Sequence, residues 1–112
     1  MFTTYRYTKV HGPYSNQHPS ISWQFHLYDK TLMFKFARCS PKDQFSYETA
    51  RQILSERGWY EVKYNPKVSL VENAVDCLRG SKDSFQRRIV KDYDKIQYLN
   101  KLSYQLDWGI LV

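Results

Sequence analysis

The chain has 112 residues, the common size of a single domain, and no linker divides it, so we expect one domain over residues 1–112. Its 42% apolar and 25% charged residues argue against a disordered chain, and no apolar stretch approaches the ~20 residues that span a bilayer. A net charge of +6 favours a polyanionic partner, either nucleic acid or an acidic protein surface, although a merely basic domain is an equally simple alternative.

A hairpin is the clearest pattern in the first third of the chain. Residues 2–10 indicate a strand with a basic, aromatic outer face, and residues 11–20 indicate a loop. Apolar and polar residues then alternate on both sides of the turn Asp29-Lys30. A period of two is typical of half-buried strands, so we predict an antiparallel hairpin over residues 21–38. Its inward residues would be Ile21, Trp23, Phe25, Leu27, Leu32, Phe34 and Phe36.

A first helix is predicted after the hairpin. Ser40 followed by Pro41 suits an N-cap and a first helical position, and Asp43 is an alternative cap. Gly58 would end this helix, and residues 59–64 form a short aromatic strand. The predicted core side of the helix consists of Tyr47, Ala50, Ile53 and Leu54.

Two further helices follow. Ser69 and Glu72 have the spacing of a capping box, and Gly80 closes that helix. Ser81 or Ser84 opens a longer helix over about residues 82–103, and the alternation of residues 104–112 leaves a final strand open. The apolar stripe of the long helix consists of Phe85, Ile89, Tyr93, Ile96, Leu99 and Leu102. The fold class is therefore α+β, with a small antiparallel sheet packed against three helices.

Catalytic groups are sparse in this sequence, and we expect no enzymatic activity, no cofactor and no metal site. The four glycines are scattered singly and cannot form a phosphate-binding loop. A nucleophilic pair of Cys39 with His26 is the remaining alternative, because Cys39 precedes a predicted helix start. Cys39 and Cys77 match no metal spacing, and the N-terminus lacks the apolar run of a signal peptide, so we expect free thiols in the cytoplasm.

A basic face on the long helix is the first candidate binding site. It consists of Arg87, Arg88, Lys91 and Lys95. Residues four apart lie on one side of a helix, and a ladder of cations ~6 Å apart can follow a phosphate backbone or an acidic partner. Asp92 and Asp94 interrupt the run, so a solvated face with local ion pairs is the alternative interpretation.

An aromatic and basic patch on the sheet is the second candidate. It consists of Tyr5, Arg6, Tyr7, Lys9, Tyr14, Lys35 and Arg38. Aromatic rings interleaved with cations can stack bases while the cations hold phosphates. With ten tyrosines in the chain, chance interleaving is the alternative.

The segment of residues 36–46, Phe-Ala-Arg-Cys-Ser-Pro-Lys-Asp-Gln-Phe-Ser, resembles a motif of small uncharacterised phage and mobile-element proteins. In those proteins a hairpin strand leads into Cys-Ser-Pro-Lys-Asp-x-Phe and then a basic helix. The resemblance covers about 25 of the 112 residues, and residues 47–51 depart from the basic run that follows in the family. It implies a small accessory protein of a virus or plasmid acting in the host-cell cytoplasm, and it implies no catalytic residue.

Two functional hypotheses follow. In the first, the protein is a phage- or plasmid-encoded accessory protein that binds and inhibits a host or defence nucleoprotein complex, as anti-CRISPR proteins do. In the second, it binds nucleic acid directly through the basic helix face and surface aromatic side chains. Neither hypothesis involves a membrane, and a homodimer stays open in both.

Overall fold

The computed structural model of the protein describes residues 2–12 and 15–111, with the side chains of residues 3–12 and 15–102. A four-stranded antiparallel sheet, with its strands in chain order, is combined with three helices, which confirms the predicted α+β class. The strands are β1 (Phe2–Thr8), β2 (Ser20–Tyr28), β3 (Thr31–Cys39) and β4 (Tyr60–Lys63). The helices are α1 (Tyr47–Ser55), α2 (Leu70–Arg79) and α3 (Ser84–Leu111).

The β2–β3 hairpin has the predicted register and turn. Tyr28 lies opposite Thr31, so Asp29 and Lys30 are the two turn residues. Asp29 adopts φ 55°, a left-handed conformation that Asp tolerates better than most side chains. The pairing extends from Ser20–Cys39 to this turn, one residue beyond the predicted hairpin at each end.

One face of the sheet packs against α2 and α3. Because residues opposite each other in an antiparallel pair share a face, Trp23, Phe25, Phe34 and Phe36 lie together. Their side chains are at most 4% exposed. Residues of this cluster that come from the helices are Ala74, Val75, Leu78, Ile89 and Tyr93. The main core therefore lies between the hairpin and the α2–α3 pair.

The opposite face of the sheet is partly covered by α1. Ser22 and Ala37 lie opposite each other on this face, and they line one cavity together with Ala50 of α1. Ala50 and Leu54 are the two buried residues of this helix. The predicted core residues Tyr47 and Ile53 are instead 50% and 37% exposed. Helices thus lie on both faces of the sheet.

The predicted start of α1 was wrong. Ser40-Pro41-Lys42-Asp43 forms a turn in which the Asp43 amide donates to the Ser40 carbonyl at 3.0 Å. Proline is favoured at the second position of such a turn as well as in a first helical turn, and here the turn forms. The helix begins at Tyr47, after Ser46, whose hydroxyl accepts from the Thr49 amide at 3.4 Å.

The predicted cap of α2 is confirmed, whereas both ends of α3 differ from the prediction. The Ser69 hydroxyl accepts from the Glu72 amide at 3.1 Å. For α3, Asp83 caps the first turn instead of Ser81 or Ser84, because its carboxylate accepts from the Gln86 amide at 2.9 Å. This helix continues to Leu111, so residues 104–111 are helical and do not form the final strand that their alternation allowed. Val112 lies outside the described residues.

Candidate functional site

The outer face of α3 carries the predicted basic ladder. Its members are Arg87, Arg88, Lys91 and Lys95, and all four are exposed. They lie opposite the buried side of the same helix, where Ile89, Tyr93 and Ile96 are at most 7% exposed. At 1.5 Å per residue, the ladder from residue 87 to 95 is about 12 Å long.

The two acidic residues that interrupt the ladder in sequence point to cations outside it. The Asp92 carboxylate accepts from Arg38 of β3 at 2.6 Å, and this pair is largely buried. The Asp94 carboxylate accepts two hydrogen bonds of 2.9 Å from Arg79 of α2. These hydrogen bonds hold the pKa of Asp94 below its ordinary value, so its charge persists and remains matched by Arg79.

The ladder itself stays unpaired in the described part of the chain. Arg38 and Arg79 form every ion pair found there, and none involves a ladder residue. Asp92 is neutralised by Arg38 of the sheet, and Asp94 is neutralised by Arg79 of α2. The outer face of α3 therefore keeps a net positive charge. The interpretation of a face with local ion pairs therefore fits Asp92 and Asp94 but not the four cations.

Further residues continue this face and were missed in the sequence. Tyr98 follows Lys91 by seven residues and Arg87 by eleven, which places it within about 20° of both on a helix of 3.6 residues per turn. Its side chain is 64% exposed. Leu102, one turn further on, is 38% exposed, so the prediction that Leu102 belongs to the buried stripe was wrong, as it was for Phe85, which is 41% exposed. Lys101 is exposed as well. Helical spacing from the ladder could have found Tyr98, because residues seven and eleven apart lie on the same side of a helix.

The sheet does not bring the second candidate patch together on one surface. Side chains alternate along β1, so Tyr5 and Tyr7 lie on the α1 side, whereas Arg6 lies on the same face as Trp23. Lys35 of β3 lies on the α1 side and is 7% exposed. Arg38 lies on the other face, where it binds Asp92. Tyr14 lies outside the described residues.

Most of this patch contacts other parts of the chain. The Arg51 guanidinium lies 4.4 Å from the Tyr5 ring centroid, and its Nε donates to the Tyr7 hydroxyl at 3.1 Å. Lys9 Nζ donates to the Tyr47 hydroxyl at 3.0 Å. These contacts attach α1 and the segment before it to β1. They use the interleaved rings and cations to hold the fold together.

Lys35 has a similar structural role at the centre of the same face. Its Nζ lies 4.5 Å from the Trp59 ring centroid, so the indole covers the ammonium group. Such cation–π contacts compensate part of the cost of removing a charge from water. Lys35 is therefore poorly placed to reach a phosphate.

The alternative catalytic pair is not brought together. His26 lies opposite Met33, whereas Cys39 lies opposite Ser20. These two positions are six residues apart along β3, a distance of about 20 Å. Cys39 is half-buried and lines a cavity of about 410 Å³ with Lys9. Cys77 is exposed, and neither thiol forms a disulfide.

Comparisons with known proteins leave the family open. No protein-family model matches the chain, and no curated protein or solved structure is significantly similar to it. Within the described residues, no three side chains of His, Cys, Asp or Glu are grouped as metal ligands, and no helix has the length and apolarity needed to cross a membrane. The resemblance of residues 36–46 to phage proteins stays a prediction.

Proposed function

We propose that the protein binds nucleic acid along the outer face of α3. The observation that supports this most directly is the separation of charges around the helix. Four exposed cations share the outer face, while Asp92 and Asp94 are bound to Arg38 and Arg79. A helix with unpaired cations at regular intervals is suited to a regularly charged polymer such as a phosphate backbone.

The strength of this electrostatic contribution can be estimated. If the four ladder cations each contact one phosphate, the logarithm of the binding constant falls with the logarithm of salt concentration with a slope of about −3.6 on duplex DNA. Between about 50 and 200 mM salt, affinity then falls about 150-fold. Such binding reads little sequence, because phosphate contacts carry no base information.

The decisive experiment compares two variants with equal net charge. In the ladder variant, Arg87, Arg88, Lys91 and Lys95 become Ala, and in the control variant Lys30, Lys42, Arg57 and Lys67 become Ala. Each variant loses four of the six net positive charges, and all eight side chains are exposed. Binding to labelled single-stranded and duplex oligonucleotides is measured by fluorescence anisotropy over a salt series.

We expect the ladder variant to lose both affinity and most of the salt dependence, while the control variant keeps the steeper slope. Equal losses in the two variants would mean that net charge alone attracts the nucleic acid. Unchanged binding by the ladder variant would reject α3 as the site. Circular dichroism of both variants checks that the fold is retained.

A second candidate function is the inhibition of a host or defence nucleoprotein complex by a phage or plasmid accessory protein. The observation that favours it is the exposed apolar area of Tyr98 and Leu102 next to the ladder. Tyrosine is enriched in protein interfaces, and an acidic protein surface would complement the cations. A stoichiometric complex that survives nuclease and high salt in a pull-down, and that the ladder variant fails to form, would favour this candidate over direct nucleic-acid binding.

A further inference from the structure

The outer edge of β4 presents two residues with outward-facing backbone groups. The Tyr64 amide donates to the Lys30 carbonyl at 2.9 Å, which shows which residues of β4 direct their backbone groups toward β3. Such residues alternate along an antiparallel strand, so the backbone N–H and C=O groups of Val62 also point toward β3. The N–H and C=O groups of Glu61 and Lys63 therefore point away from the sheet. Both residues are exposed.

The sequence of this edge is complementary to itself. Residues 60–64 read Tyr-Glu-Val-Lys-Tyr. When two copies run antiparallel with Val62 opposite Val62, Glu61 faces Lys63 of the second copy and Lys63 faces its Glu61. The same register places a Tyr opposite a Tyr at both ends. It also uses the outward backbone groups of both copies, each Glu61–Lys63 pair exchanging both hydrogen bonds.

We propose that β4 pairs with β4 of a second copy of this chain and forms a symmetric dimer with one continuous sheet. Charge complementarity identifies the partner, because oppositely charged residues directly opposite each other stabilise a pair and like charges destabilise it. Neither Glu61 nor Lys63 forms an ion pair within the described chain, so both side chains are available.

The charges also select the register. Charged residues on an edge strand commonly prevent pairing with other chains. Here a two-residue shift or a parallel alignment of two copies removes the opposite-charge pairs, whereas the register centred on Val62 forms two of them. The charges of β4 thus oppose other pairings and favour this one.

The geometry of the dimer follows from the sheet. Residues directly opposite each other share a face, so the α2–α3 layers of both copies would lie on the same side of the combined sheet. A four-residue strand buries less than the ~1,200 Å² of a standard interface, so the dimer should dissociate on dilution. Tyr60, which is 39% exposed, would gain cover from Tyr64 of the second copy.

The test uses charge reversals and purified protein free of nucleic acid. Sedimentation equilibrium over a wide concentration range should show a reversible monomer–dimer equilibrium for the natural chain. Lys63→Glu and Glu61→Lys should each weaken the dimer at least about tenfold, because each places like charges opposite each other. An equimolar mixture of these two variants should restore a dimer, as should the double reversal in one chain.

Two controls separate edge pairing from other effects. Lys42→Glu has the same charge change at an exposed site that follows the end of β3 not paired with β4, and it should leave the dimer unchanged. Glu61→Pro removes an outward amide without affecting the β3–β4 hydrogen bonds and should abolish dimerisation while the circular dichroism spectrum is retained. A chain that stays monomeric, a dimer that the single reversals leave intact, or a mixture that fails to recover would each overturn the proposal.

Discussion

Trp23 shows how a single polar atom limits the packing of the core. Its side chain is fully buried, and the indole Nε1–H donates to the Thr8 hydroxyl at 2.9 Å. A buried indole brings a large apolar area into the core but also a donor that must find an acceptor. Thr8 supplies the acceptor from β1, where it lies directly opposite Ile21, two residues before Trp23 in β2. This hydrogen bond joins the edge strand to the centre of the fold.

We expect Thr8→Val to lower the free energy of unfolding by about 1–3 kcal/mol, because the buried indole donor loses its acceptor while side-chain shape is nearly unchanged. Urea denaturation followed by tryptophan fluorescence measures the difference. Thr4→Val is the matched control on the same face of β1 and should change stability by less than about 0.5 kcal/mol, since its hydrogen bond to Arg6 is exposed. Equal effects would show that the indole contact is not the cause.

At the scale of elements, α1 depends on the sheet for its stability. It has nine residues, and a helix this short is marginal in isolation. Leu54 is fully buried, whereas its neighbour Ile53 is 37% exposed. Next to this small apolar contact with the sheet, Arg51 of α1 contacts Tyr5 and Tyr7 of β1. The helix is therefore held by two buried side chains, Ala50 and Leu54, and by a rim of aromatic and cationic side chains.

This arrangement predicts very different effects at adjacent positions. Leu54→Ala should lower the free energy of unfolding by about 2–4 kcal/mol, because it leaves a cavity at the centre of the α1–sheet contact. Ile53→Ala should cost about 1 kcal/mol or less, because its side chain is already partly in water. Chemical denaturation monitored by circular dichroism measures both. Comparable losses at the two positions would contradict the described orientation of α1.

The strands and most helix positions were accessible from the sequence because local patterns determine them. The alternation on both sides of Asp29-Lys30 leaves one register for the hairpin, and the spacing from Ile89 to Ile96 leaves one buried side for α3. The end of α3 was not accessible, because residues 104–112 alternate in a way that suits a strand while containing no residue that stops a helix before Gly109.

Only part of the candidate site could be predicted from the sequence. The i, i+4 spacing of Arg87, Lys91 and Lys95 predicts the ladder, but it cannot show that Asp92 binds Arg38 across 54 residues of chain. The split of the sheet patch follows from strand alternation alone. The residues of this patch contact α1 because that helix covers their face of the sheet. Which face the helix covers depends on tertiary packing and cannot be predicted from a local sequence pattern.

For the whole molecule, the form of nucleic acid bound depends on Tyr98. An exposed aromatic ring next to a row of cations can stack on an unpaired base, with a contribution of about 1–3 kcal/mol per base. In a duplex the bases are already stacked on one another, so the ring gains little. We therefore expect the α3 face to prefer single strands, with the cations holding phosphates on either side of a stacked base.

Tyr98→Ala should weaken binding of a single-stranded oligonucleotide about tenfold and leave duplex binding within about twofold, because only the stacking contribution is lost. Tyr28→Ala is the matched control, since Tyr28 is 62% exposed but lies beside the hairpin turn, away from α3. Anisotropy titrations at one salt concentration measure both variants on both substrates. Because the four cations are untouched, the salt slope should stay the same in Tyr98→Ala, and a changed slope would mean that Tyr98 positions the cations instead of stacking.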